Sequence, residues 1–126
     1  FSIACVRAAA VIVFSIFIQP ITMSADSIGV GVVAQMSGWG ARTEDKGIDS
    51  PLLQATNLTT VNCPDEFPFS LQYLCTFTPG TGICTTDIGG PLVFENQLIG
   101  IAAYHDPLTC GIGPVRHEFY FLSNSI

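Results

Sequence analysis

Charged side chains are scarce in this chain: they make up 11% of its 126 residues, with four Lys or Arg against ten Asp or Glu and a formal net charge of −6. No basic run is available to neutralise a row of phosphates, so nucleic acid is a poor partner. No two cysteines stand at C-x-x-C spacing, and only His105 and His117 are there to complete a metal site, so zinc has little support and no cofactor is expected. The longest apolar run stops at Gln19 and Pro20, short of the eighteen or more residues a membrane-spanning helix needs. There is no internal repeat, no low-complexity tract and no long amphipathic helical pattern.

What remains points to sheet. Hydrophobic residues are 48% of the chain, with 12 Gly and 8 Pro, a composition that excludes disorder and favours a turn-rich β protein with one core. Strands are expected over residues 28–37, 52–61, 91–95, 97–104 and 115–122, rich in β-branched and aromatic residues and bounded by turn formers. Asn96 lies between two of them closely enough for a tight hairpin. Gly40 to Gly47, Asp49-Ser50-Pro51, Cys63-Pro64-Asp65, Pro79-Gly80 and Asp106-Pro107 mark loops. Short strands between Gly/Pro turns imply an all-β barrel or sandwich.

The cysteines at 5, 63, 75, 84 and 110 are most simply two disulfides and one leftover thiol, which places the protein in an oxidising, extracellular compartment. Asn57-Leu58-Thr59 is an acceptor signal for N-glycosylation and agrees with secretion. Arg7, the apolar run 8–18 and the small pair Ser24-Ala25 have the pattern of a signal peptide, yet position 1 is Phe and not Met.

Four motifs carry a resemblance. Cys84-Thr85-Thr86-Asp87-Ile88-Gly89-Gly90-Pro91-Leu92-Val93 resembles the nucleophile loop of the chymotrypsin-like (trypsin-like) serine proteases, C-x-G-D-S-G-G-P-L-V. Ser37-Gly38-Trp39-Gly40 resembles the family's S-G-W-G strand end, Ile18-Gln19-Pro20-Ile21 the link between its two barrels, and Leu98-Ile99-Gly100-Ile101 the strand leaving the nucleophile loop. They occur in the family's order and near its spacing. The resemblance implies an antiparallel Greek-key β-barrel of the chymotrypsin-like type, with residues 1–25 as the last strand of the first barrel and the crossover, and residues 26–126 as the second, C-terminal barrel. The apolar run then belongs to that strand and not to a signal peptide.

The resemblance also implies disulfides Cys63 with Cys75 and Cys84 with Cys110. It leaves Cys5 as a buried, unreactive thiol at an apolar core position, and the two positions of a third bridge are filled together by Ala34 and Phe94. At the catalytic positions it finds the chemistry missing. Ile88 stands where the nucleophilic serine would be, Ser2 where the orienting aspartate would be, and the histidine falls outside the chain. Thr86 takes the oxyanion-hole glycine's place. Gly82 lies at the pocket base where a trypsin-like member has aspartate, and His105 and Val115 crowd its walls. Asp87 is retained. In the family it pairs with a new amino terminus, and here it either bonds amides of its own loop or meets a terminus supplied by another polypeptide. His105, next to Asp106, and His117 have loop and surface roles.

The expectation is therefore a secreted, non-catalytic serine protease homologue with a binding or regulatory role, partnered by another protein or by a missing N-terminal barrel. The alternatives are a truncated fragment with no function of its own, and a serine-type endopeptidase by resemblance only.

Overall fold

The computed structural model describes residues 4–41, 48–63, 73–104 and 117–121. Seven strands follow in order: β1 (Thr22–Met23), β2 (Val33–Gly38), β3 (Gln54–Val61), β4 (Tyr73–Thr76), β5 (Pro91–Phe94), β6 (Gln97–Tyr104) and β7 (His117–Phe121), with one 3-10 turn at Thr85–Asp87. The sheet order is β1-β6-β5-β2-β3-β4-β7, and β6 also pairs with β7, so strands β2 to β7 close into a six-stranded antiparallel ring. β5 lies beside β2 after the β2-β3-β4 meander, which is the Greek-key return. β1 adds in parallel to the start of β6, Thr22 opposite Gln97 and Met23 opposite Leu98.

The core follows from strand alternation. Ala34 and Met36 of β2, Leu58 and Thr60 of β3, and Leu92 of β5 point inward and are buried, joined by Leu74, Ile83, Ile99 and Ala102. The pairing of β5 with β6 shifts register between Leu92 and Val93, so β6 sets both Ile99 and Gly100 against Leu92. That extra residue breaks the period of two and lets Ile99, Gly100 and Ala102 all be buried. The β5–β6 hairpin turns on Glu95 and Asn96, with φ of 47° and 61°. Two consecutive left-handed residues make the tight turn that matches the twist of paired strands.

The expected strands at 91–95, 97–104 and 115–122 are present with slightly different ends. The run expected at 28–37 begins later, at Val33, because Gly31 has a φ of +85° and its neighbours bond to β3 in place of a strand partner. Gly31 N–H donates to Thr60 O at 2.9 Å, Val32 N–H to Thr60 Oγ1 at 2.8 Å, and Thr60 Oγ1 to Gly29 O at 2.7 Å. β4 was not expected, since Leu74, Cys75 and Thr76 are all buried and show no alternation.

The strand expected within residues 1–25 does not form over residues 4–21. Every residue from 4 to 23 is exposed, including Val6 at 92%, Val11 at 91% and Phe17 at 89%. Its local bonding is a short turn, Ser15 N–H to Ile18 O and Ile18 N–H to Ser15 O, and the chain joins the sheet only at β1. A strand needs neighbours to take its backbone groups, and nothing described lies alongside this one. The same lack of cover corrects the expectation for Cys5, which is a free thiol but exposed.

Candidate functional site

The loop between Ile83 and β5 carries the residues singled out in the sequence. Ile83 is fully buried and Cys84 is 6% exposed, which anchors the start of the loop in the core. Cys84 is disulfide-bonded. The partner implied for it, Cys110, lies outside the described residues, as do Ser2, His105 and Val115. The other implied bridge is present: Cys63 is bonded to Cys75, with their Cα atoms 5.2 Å apart.

Asp87 organises the turn that follows. Its backbone N–H donates to Cys84 O at 2.9 Å, and its carboxylate accepts from Cys84 N–H at 3.0 Å through Oδ2. The other oxygen, Oδ1, accepts from Gly40 N–H at 2.7 Å. One carboxylate therefore ties its own loop to the end of the S-G-W-G segment. The sequence admits either Asp87's own loop or an incoming terminus as its partner, and carries no signal for the Gly40 contact. The contact explains the glycines of that segment, because a Cβ at either Gly38 or Gly40 would overlap the Asp87 carboxylate. Gly90 is equally constrained, since its Cβ would come 2.9 Å from Asp87 O and close against the Met36 side chain.

Beyond the turn, Ile88 is extended, with φ of −58° and ψ of 131°, and its side chain is 45% exposed. Gly89, at φ +89°, donates its N–H to Ala102 O at 2.8 Å, Gly90 N–H donates to Asp87 O at 2.9 Å, and Ala102 N–H donates to Gly90 O at 2.9 Å. The loop is thus stitched to β6, and Ile88 is held at its outer rim.

Thr86 is exposed within the 3-10 turn, and its hydroxyl donates to Asp49 Oδ1 at 2.6 Å. That contact has no signature in the sequence, since the partners lie 37 residues apart. Ser50 N–H donates to Trp39 O at 2.8 Å, so segment 48–50 runs beside Trp39. Gly82 is half-buried just before Ile83. Asn57 lies apart from this loop, on the outside of β3. No group of three or more His, Cys, Asp or Glu positioned to hold a metal occurs among the described residues. No helix among them is long and apolar enough to cross a membrane.

A Greek-key ring with this loop stitched between β2 and β6 defines the second barrel of the chymotrypsin fold. The Trypsin family model matches residues 2–120, and the chain belongs to that family. Trypsin eta of Drosophila erecta is 36% identical over 94 residues, covering 68% of this chain and 36% of its own length. Chymotrypsin-2 of Vespa crabro is 32% identical over 114 residues, covering 86% of this chain and 51% of its own. This chain therefore spans between about a third and a half of the length of those relatives. Among solved structures, mouse neuropsin, a serine protease, superposes with a TM-score of 0.72 at 23% identity, over 82% of this chain and 49% of that one. Human heparin binding protein superposes with a TM-score of 0.64 at 27% identity, over 81% and 44%.

Proposed function

We propose that this chain is a non-catalytic member of the trypsin family, with a binding or regulatory role on the protease scaffold. The observation that carries the reading is the exposed, purely aliphatic side chain of Ile88, which the resemblance of the loop aligns with the nucleophile. An aliphatic carbon has no lone pair to attack a carbonyl and no proton to give up, so no acyl-enzyme forms there. The neighbouring hydroxyl, that of Thr86, is engaged as a donor to Asp49 Oδ1. That a binding role can occupy this fold is supported by the name of human heparin binding protein. Heparin itself is a polyanion, and a net charge of −6 makes it an unsuitable ligand here.

The test is covalent labelling of the purified chain with a fluorophosphonate, with trypsin as the positive control. No labelling is expected, and Ile88→Ser is expected to remain unlabelled and to give no burst with an activated ester. The new hydroxyl would face Thr86 in place of the oxyanion glycine that the resemblance implies. Labelling of the unmodified chain, or an ester burst from Ile88→Ser, would overturn the reading.

A second reading concerns what completes the unit, a partner protein or an N-terminal barrel. The chain exposes 8771 Å², whereas a compact monomer of its mass exposes about 6,500 Å². Residues 4–21 contribute to the difference with exposed apolar side chains on a segment that joins no strand, the combination that drives edge pairing and aggregation. Light scattering across a concentration series is therefore expected to show association of the 126-residue chain, relieved by deleting residues 1 to 19. A stable monomer that binds no hydrophobic dye would mean the segment needs no cover.

A further inference from the structure

The tripeptide Asn57-Leu58-Thr59 plays no part in the loop chemistry, and its place in the barrel gives it a separate role. It lies in the middle of β3, where Asn57 is paired with Gln35 and Leu58 with Ala34 of β2. Leu58 is fully buried in the core and fixes the register. Because strand side chains alternate, Asn57 and Thr59 must then share the outer face, the acceptor amide and the hydroxyl two residues on side by side. Asn57 is exposed, as are Gln35 opposite it and Ala55 two residues before it. The wall around the amide is thus open, with Val33 exposed opposite Thr59. The Cys63–Cys75 disulfide, and the bonded state of Cys84, belong to an oxidising secretory route, the compartment in which such acceptors are modified.

We propose that Asn57 carries an N-linked glycan on the outer wall of β2 and β3. In the transfer, Asn57 Nδ2 attacks the anomeric carbon of a lipid-linked oligosaccharide diphosphate. The N–C bond forms as the bond from that carbon to the phosphate oxygen breaks, the lipid diphosphate leaves, and a base of the transferase takes the amide proton. A glycan here keeps this wall facing solvent, so any partner covering residues 4–23 approaches from elsewhere on the barrel. The proposal is independent of whether the chain hydrolyses peptides.

The full chain, translated behind a cleavable secretory leader in the presence of microsomes, gives the test. Among molecules protected from added protease, a single upward mobility step is expected, reversed by an endoglycosidase. Asn57→Gln and Thr59→Ala should abolish the step, and Thr59→Ser should keep part of it. The sugar is added before folding is complete, so a variant's stability does not decide the result. Protease-protected chain without the step, or a step that survives Asn57→Gln, would overturn the proposal. So would native protein whose Asn57 peptide is entirely unmodified, read by mass spectrometry after enzymatic deglycosylation in heavy-oxygen water.

Discussion

Cys84→Ala is expected to destabilise the barrel by about 2–5 kcal/mol, the range for loss of a native disulfide from a small secreted domain. Cys5→Ala should change stability by less than about 0.5 kcal/mol, as surface substitutions away from special features do. The contrast rests on placement. Cys84 is 6% exposed, disulfide-bonded and adjacent to the fully buried Ile83, so its bridge holds the start of the Asp87 loop in the core. Cys5 is a free thiol in a segment exposed throughout residues 4–23. Thermal melts of the two variants beside the unmodified chain decide the matter. A larger loss for Cys5→Ala would show that residues 4–21 pack against something in solution and that the loop does not depend on its bridge.

Asp87→Ala is expected to cost about 2–3 kcal/mol, because it removes the acceptor for two backbone N–H groups and leaves them unsatisfied in a partly buried turn. Gly38→Ala should be destabilising by a similar amount for the complementary reason, a Cβ driven into the same carboxylate. The two are then expected to be non-additive. Once the carboxylate is gone the added methyl has room, so the double variant should lose clearly less than the sum of the singles, by 1 kcal/mol or more in a cycle of denaturant melts. Strict additivity would show that Gly38 is required for its own backbone and not for the approach of Asp87. Proteolytic nicking between Ile83 and Pro91 gives a second readout, and it should increase in Asp87→Ala if the carboxylate is what holds the turn closed.

These predictions divide between what was legible in the chain and what was not. Asn96 announced its hairpin because turn chemistry is local, and the β-branched content of 52–61 announced β3, although of the apolar residues there only Leu58 is buried. The motif around Asp87 and Gly89-Gly90-Pro91 located the loop and, through the resemblance, the Cys63–Cys75 bridge. β4 was illegible because three consecutive buried residues erase the alternation that identifies a strand. The late start of β2 was hidden in the φ of Gly31, which glycine permits and does not require.

By itself the sequence determined the class of fold, the position of the loop, the aliphatic residue at its rim and the Asn57-Leu58-Thr59 pattern in β3, because each is written in residue types a few positions apart. The tertiary structure alone decided that Asp87 spends its carboxylate on Gly40 and Cys84, that Thr86 meets Asp49, and that Cys5 lies exposed with the apolar run around it. Those contacts join segments as far as 47 residues apart or depend on what packs over a strand, and only the closed ring of β2 to β7 sets such distances.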